Sequence, residues 1–259
     1  MTGRDLFWLV AATALAWLFH LYVRLLPTAV VAGCWALLTG AIAAGLFRRA
    51  AIRRRALLAV YVAPGSPWQM RLRGGILMRL GALVPAGFLA LVLALGLARL
   101  EPSTAWLALA VAMPVLVGLR RLLHRRLAPH VAADYVPLLS WQAAALATGL
   151  ALLGVLVALA ARDVYPDFSG VSLERAAWHM VDQQHARSAL AQALLQGMAA
   201  FDGLRLWLAQ QLMPTPGTSV LQLLGWLLVF AEGLLFVWSY LLMAYGVLTM
   251  VGTHDRGAR

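Results

Sequence analysis

Six long apolar stretches, separated by short turns rich in arginine, constrain this chain more than any other feature of its sequence. They cover about residues 6–26, 28–47, 76–98, 104–119, 138–161 and 220–251. Of the 259 residues, 63% are hydrophobic and 12% are charged, whereas a soluble domain is roughly half apolar and about a quarter charged. A soluble fold has no interior that could bury this much apolar surface. The sequence therefore predicts an all-α, polytopic transmembrane helical bundle of about six spans.

The stretch 162–219 is the only long part of the chain that cannot lie inside a membrane. It holds five of the ten acidic residues and two of the six histidines. We therefore divide the chain into three predicted regions. Residues 1–161 form a five-span transmembrane region with basic loops, residues 162–219 form an amphipathic helical segment outside the membrane, and residues 220–259 form the sixth span with a short tail.

The distribution of arginine predicts how the chain faces the membrane. All 21 basic residues are arginine, and fifteen of them lie in the N-terminus, the stretches 48–79 and 120–126, and the tail. Because cytoplasmic loops carry an excess of basic residues, both termini are expected in the cytoplasm of a bacterium, with the chain in its inner membrane. The segment 162–219 is then expected on the opposite, extracytoplasmic side.

The net charge of +11 does not point to nucleic acid, because the arginines lie at the ends of apolar spans. There they set orientation and bind anionic lipid headgroups. Two arginine clusters have a more specific alternative role, the docking of other membrane or envelope subunits. They comprise Arg48, Arg49, Arg53, Arg54, Arg55, Arg120, Arg121, Arg125 and Arg126. Between 48 and 79, the sequence predicts an interfacial helix, a Pro-Gly-Ser-Pro turn and the start of the third span.

An amphipathic pattern runs through the segment 162–219. Ser172 is a predicted N-cap and Glu174 suits the first turn of a helix, and no proline follows Leu173 until Pro214. One or two helices are expected, with a possible interruption at glycine 197 or 203. At 100° per residue one apolar face comprises Leu190, Leu194, Met198, Phe201, Leu204, Leu208 and Leu212, with Gln192, Gln196 and Gln210 opposite. Such a helix can lie on the membrane, dip into it as a re-entrant element, cap the bundle or dock a partner.

Glu232 is the one acidic residue deep in a predicted span. A charge there is costly, so Glu232 is a candidate functional residue that is protonatable, coordinates an ion or is paired. His20, Arg24 and Arg79 are conceivable partners. The alternative is a hydrogen-bonded glutamic acid that fixes helix packing.

His179, Asp182 and His185 follow one another at intervals of three residues. Two imidazoles and a carboxylate are common zinc ligands, so these residues are a candidate metal site if they share a helix face. The alternative is a solvated face on which Asp182 and His185 form a pair.

The sequence contains no P-loop, dinucleotide-binding, nucleophile-elbow or zinc-protease motif. We therefore expect no enzymatic activity and no cofactor. The leading hypothesis is a non-enzymatic subunit of an envelope assembly for transport, secretion or conjugation. The topology is also similar to that of the six-span permeases of ABC-2 exporters, which implies a separate ATPase partner. This similarity covers the whole chain and involves no residue motif. A third hypothesis, a channel or an intramembrane lipid enzyme in which Glu232 and His20 converge, also stays open.

Overall fold

A computed structural model describes residues 3–61, 66, 76–100, 103–133, 135–160, 162, 166–168, 170–212 and 219–257. Within these residues all regular structure is helical. The helices are α1 (Gly3–Tyr22), α2 (Thr28–Tyr61), α3 (Ile76–Arg99), α4 (Ser103–Leu127), α5 (Val136–Ala160), α6 (Leu173–Val181), α7 (Ala189–Leu212) and α8 (Ser219–Gly257). Six of these, all but α6 and α7, are long and apolar enough to cross a membrane. The predicted all-α transmembrane bundle is confirmed, and the chain is a multi-pass membrane protein.

The last helix, α8, occupies the centre of the bundle. In its spanning part 67% of the residues are buried, against 17–33% in the other five spanning helices. It packs against α1, α2, α3, α5 and α7. A helix surrounded in this way must be apolar on every side, and this is why α8 shows no polar stripe. The sixth span therefore organises the other five, although it comes last in the chain.

The closest helix crossing joins α2 and α8 at two glycines. A Cβ atom on Gly246 would lie 1.7 Å from the carbonyl oxygen of Ala41, and one on Gly45 would lie 3.1 Å from the ring of Tyr245. Small residues of this kind let the two helices approach closely, because close packing is what associates helices in lipid. Among the glycines of the second span, Gly45 has this role, whereas Gly33 and Gly40 face open space.

A buried polar contact ties three helices together in the middle of the bundle. The Tyr240 hydroxyl on α8 lies 2.8 Å from the Thr13 hydroxyl on α1 and donates to the carbonyl of Leu109 on α4 at 3.2 Å. Sequence analysis did not identify this contact. Since water does not reach the apolar core, each hydroxyl gains stability only from a protein partner.

The bundle has two chemically different ends. At the first, which we call the capped end, the N-terminus of α7 meets the turn between α1 and α2, where the Arg187 N–H donates to the Arg24 carbonyl at 2.9 Å. His20 lies there too, 2.9 Å from the carbonyl of Leu97 near the end of α3. The opposite, basic end carries the arginines of 48–55 and 120–126. The loops that the arginine count assigns to one side of the membrane therefore lie at the same end of the bundle.

Two helices are longer than predicted. The sequence predicts that the second span ends at residue 47 and that a separate interfacial helix follows, but α2 is continuous to Tyr61. Likewise, residues 120–126 form the last turns of α4 and not a loop. Alanine, leucine and arginine are strong helix formers, and neither stretch contains glycine or proline to stop the helix. The predicted Pro-Gly-Ser-Pro turn lies almost entirely outside the described residues.

Candidate functional site

The segment between the fifth and sixth spans folds into two helices, α6 and α7. Ser172 is the N-cap of α6, as predicted, and its hydroxyl accepts a hydrogen bond from the Arg175 N–H at 3.4 Å. The helix ends at Val181, and Asp182 is its C-cap. Of the alternatives left open by the sequence, one helix or two, the structure has two.

Helix α7 is not interrupted at either glycine. Gly197 faces open space, whereas Gly203 lies where α7 crosses α6. A Cβ atom at position 203 would lie 2.6 Å from the Ala176 carbonyl oxygen and 2.8 Å from the Cα atom of Ala177. Gly203 is thus the point of closest backbone approach between the two helices, and not a break in α7.

The N-terminus of α7 is fixed to the bundle through Ser188. Its hydroxyl accepts a hydrogen bond from the Ala191 N–H at 3.3 Å, as an N-cap does. The same hydroxyl lies 2.9 Å from that of Thr28, the first residue of α2. One side chain therefore both starts α7 and joins it to the spanning helices.

The C-terminal half of α7 holds the chain that precedes α6. The Gln210 amide accepts from the Phe168 N–H at 2.7 Å and donates to the Pro166 carbonyl at 2.8 Å. The Trp207 indole N–H donates to the Val171 carbonyl at 2.8 Å. Gln210, predicted on the polar face, thus satisfies backbone groups that would otherwise be left without partners.

The buried positions of α7 lie beside the predicted apolar face, of which Leu194 and Met198 pack against a buried cluster. The buried positions are Ala191, Leu195, Ala199 and Asp202, which are offset by one residue from the predicted face. Members of the predicted face are exposed (Leu190, Phe201) or partly exposed (Leu194, Met198, Leu204, Leu208), and the side chain of Leu212 lies outside the described residues. Periodicity identifies the apolar side of a helix, but beside a membrane the apolar side can face lipid.

Four charged side chains meet where α7 crosses the capped end, and we call them the ion-pair network. Arg99 is the last residue of α3, Asp202 and Arg205 lie on α7, and Glu232 lies on α8. Asp202 contacts Arg99 directly, and Glu232 contacts Arg205 directly. The other two pairs, Arg99 with Glu232 and Arg205 with Asp202, are 3.6 and 3.7 Å apart. Two cations and two anions therefore form a closed ring with no net charge.

The network is largely shielded from solvent. The side chain of Asp202 is 6% exposed, those of the two arginines about a fifth, and that of Glu232 27%. At such sites the mutual attraction of the charges must offset the cost of removing them from water. Alternating charges around a ring achieve this, since each carboxylate has two guanidinium groups within reach.

Glu232 therefore has a different environment from the predicted one. It lies beside the end of α3, at the capped end and not deep in the bundle, and its partners are Arg99 and Arg205. The predicted partners are elsewhere: His20 lies against Leu97, Arg24 is exposed, and Arg79 lies over the ring of Phe47. Sequence analysis missed the other three members, although Asp202 three residues before Arg205 in an apolar stretch was a usable signal.

The structure does not assemble the candidate metal site. Because α6 ends at Val181, Asp182 and His185 lie outside the helix and the three residues do not share a face. The His179 ring packs edge-on against Phe168, and its Nε2 atom lies 3.2 Å from the Gln183 amide nitrogen. Within the described residues, no group of three histidine, cysteine or acidic side chains is placed to hold a metal ion.

The predicted docking arginines separate into two groups. Six are exposed, Arg53, Arg54 and Arg55 on α2 and Arg121, Arg125 and Arg126 on α4. Arg48 and Arg120 are partly buried, and Arg49 is buried at 8% exposure. The sequence gives no reason to distinguish Arg49 from its neighbours, because burial depends on which side of α2 faces α8.

The arrangement at the capped end can hold α7 in place. The ion-pair network links α7 to α3 and α8, and Ser188 links it to the α1–α2 turn. The network thus consists of ion pairs that join elements distant in sequence.

Comparison with protein-family models, curated proteins and solved structures found no match to this chain.

Proposed function

We propose that this chain is a non-enzymatic subunit of a multiprotein assembly in a bacterial inner membrane, serving transport, secretion or conjugation. Both termini lie in the cytoplasm, and α6 and α7 lie on the other side. The excess of arginine at the basic end supports this orientation. Anionic lipids and other membrane or envelope subunits are the proposed partners.

The length of α2 is the observation that carries this proposal. Its 34 residues correspond to about 51 Å at 1.5 Å per residue, whereas the hydrocarbon core of a bilayer is about 30 Å thick. Its last turns therefore extend past the membrane, and they carry the exposed Arg53, Arg54 and Arg55. The exposed arginines of α4 lie at the same end. A projecting, charged helix end is suited to bind an acidic surface of another protein.

A photo-crosslinking amino acid placed at Arg54 in intact cells tests this proposal. The matched control is the same amino acid at Leu37, which is 77% exposed on the spanning part of the same helix. We expect discrete protein adducts from position 54 and lipid adducts alone from position 37. The adducts should weaken when Arg53→Glu and Arg55→Glu are added, because both changes reverse the charge of the surface.

Two results would overturn the proposal. One is that the crosslinking amino acid at position 54 yields only lipid adducts, as it is expected to do at position 37. The other is turnover of a small substrate by the purified chain alone.

A second candidate function is a permease subunit similar to those of ABC-2 exporters. The observation that favours it is the α6–α7 helix pair, which follows the fifth span and packs back on the bundle before the sixth. This candidate requires an ATPase that binds the basic end. Co-purification of a P-loop ATPase whose ATP hydrolysis changes when the chain is present would support it over the first.

A further inference from the structure

Arginines and aromatic rings alternate at the basic end of the bundle, and we call this set the arginine stack. The guanidinium carbon of Arg49 lies 5.2 Å from the ring centre of Trp238 and 5.3 Å from that of Tyr245. Tyr245 in turn packs against Trp141 at 4.8 Å, and the guanidinium carbon of Arg120 lies 5.4 Å from the Trp141 ring. Helices α2, α4, α5 and α8 all contribute to the stack.

Among the described residues, arginines outnumber the acidic side chains that act on the stack. Arg49 is buried, and its Nε–H has no acceptor among the described residues. The indole N–H of Trp141 is also buried without one. Arg53 adds a further positive charge, while Asp5 acts on Arg120 as an opposing one. Contacts with aromatic faces stabilise a cation only weakly, and they do not offset the cost of removing its charge from water.

A small cavity lies against the same Tyr245 ring. It has a volume of about 50 Å³ and is lined by Arg48, Arg120, Thr249 and Tyr245, together with apolar side chains of α2, α5 and α8. One water needs about 10–15 Å³ measured in this way, so the cavity holds about four water-sized groups. A phosphate group, with four oxygen atoms around phosphorus, has that size.

We propose that this cavity binds a phosphate group, carried either by a phospholipid headgroup or by a free anion. Arg48 and Arg120 approach it from different helices, and guanidinium groups bind phosphate through two parallel N–H donors. Thr249 and Tyr245 also line the cavity, and the Thr249 hydroxyl donates to the Gly246 carbonyl at 2.7 Å. The charge of a bound phosphate also stabilises Arg49, which lies next in the chain to Arg48 and on the same tyrosine ring. This site is independent of the protein partner proposed above.

The test compares the purified chain in nanodiscs of phosphatidylglycerol and phosphatidylcholine by native mass spectrometry. We expect one phosphatidylglycerol molecule to stay bound on release from the disc, at least tenfold more often than phosphatidylcholine. The double variant R48Q/R120Q should lose this retention. The matched control is R54Q/R55Q, which removes two exposed arginines from the same end and should keep it.

A second arm tests a free anion. In a neutral detergent without phospholipid, inorganic phosphate is compared with chloride at equal ionic strength, and the melting temperature is measured. Stabilisation by phosphate that R48Q/R120Q abolishes, without lipid retention, supports the site with a soluble ligand. Retention without that stabilisation supports the site with a lipid.

The proposal is overturned if neither arm shows a preference in the wild-type chain, whether or not R48Q/R120Q folds. It is also overturned if R54Q/R55Q reduces binding as much as R48Q/R120Q does, because binding then reflects the general charge of this end. The variant R48K/R120K keeps the positive charge but loses the paired N–H donors of the guanidinium groups. We therefore expect it to bind phosphate more weakly than the wild type and more strongly than R48Q/R120Q.

Discussion

The capped end and the basic end both place charged groups against the bundle, but among the described residues these groups have different partners. Arg99, Asp202, Arg205 and Glu232 form a ring of two cations and two anions. At the basic end Arg49 is more deeply buried than either arginine of the ring, and among the described residues its guanidinium group lies over the aromatic rings of Trp238 and Tyr245. The ion-pair network is neutral by itself, whereas the stability of the arginine stack depends more on the groups around it.

This difference distinguishes charges that hold helices in place from charges that can bind a ligand. A neutral network between α3, α7 and α8 positions one element on another and leaves little attraction for a ligand. Positive charge around a polar cavity attracts an anion and, in a bilayer, a lipid headgroup. If this distinction is correct, the same kind of substitution must have different effects at the two ends.

Removing a carboxylate from the ion-pair network should give the largest effect. We expect D202N to lower the free energy of unfolding in detergent by about 3 kcal/mol, since it leaves two shielded arginines with one carboxylate between them. Denaturant unfolding followed by circular dichroism measures this change. The control is E174Q, which neutralises an exposed carboxylate on α6 and should leave stability unchanged. Equal effects of the two variants would contradict a special role for the network.

Packing at the capped end offers a second test that does not involve charge. We expect G203A to destabilise the contact of α7 with α6 by about 2 kcal/mol, because the added methyl group meets backbone atoms of Ala176 and Ala177 that must move. Hydrogen exchange of the α6 amides detects the change. The matched control G197A adds its methyl group in open space and should stabilise α7 by about 0.5–1 kcal/mol. A G203A variant that behaves like G197A would show that α6 does not pack tightly on α7.

Coupling across the ion-pair network should be smaller but specific. In a double-mutant cycle of R205Q and E232Q, we expect a coupling free energy of about 1 kcal/mol, because the two groups are in direct contact but partly exposed. The same cycle applied to Arg175 and Glu232 is the control, since Arg175 lies exposed on α6 and should show no coupling. Additive effects of R205Q and E232Q would mean that Glu232 acts without Arg205.

The smallest effect is expected at the basic end. In neutral detergent without phosphate, R49M should change the free energy of unfolding by less than about 1 kcal/mol, because the lost contacts with aromatic rings and the removed cost of a buried charge oppose each other. In phosphatidylglycerol bilayers the same variant should lose part of the stabilisation that this lipid gives to the wild type. Should R49M destabilise the chain in neutral detergent as much as D202N does, the contrast between the two ends would be wrong.

Several structural features could be predicted because they depend on local chemistry. Apolar stretches of sufficient length predict the six spanning helices, and Ser172 before Leu173 predicts the start of α6. The endpoints of α2 and α4 could not be predicted from hydrophobicity. The membrane edge ends an apolar stretch, but without glycine or proline it does not end a helix.

The candidate site could be predicted only in part. Glu232 is conspicuous as an acid in an apolar stretch, but its partners lie 133 and 27 residues away in the chain. Asp202 lies in the segment 162–219, which the sequence places outside the membrane, and the face of α7 chosen by periodicity is offset from the buried one. Periodicity reports which side of a helix is apolar, and it does not report whether protein or lipid covers that side.

The sequence by itself determines that this chain crosses a membrane six times, because apolar length and composition alone satisfy that requirement. It also groups the arginine-rich segments at one end, since alternating spans leave no other arrangement. Only the tertiary structure decides that α8 is central, that Glu232 closes a ring with Arg99, Asp202 and Arg205, and that Arg49 is buried while Arg53 is exposed. These outcomes depend on how the helices rotate and cross, and helix rotation is set by contacts between residues distant in sequence.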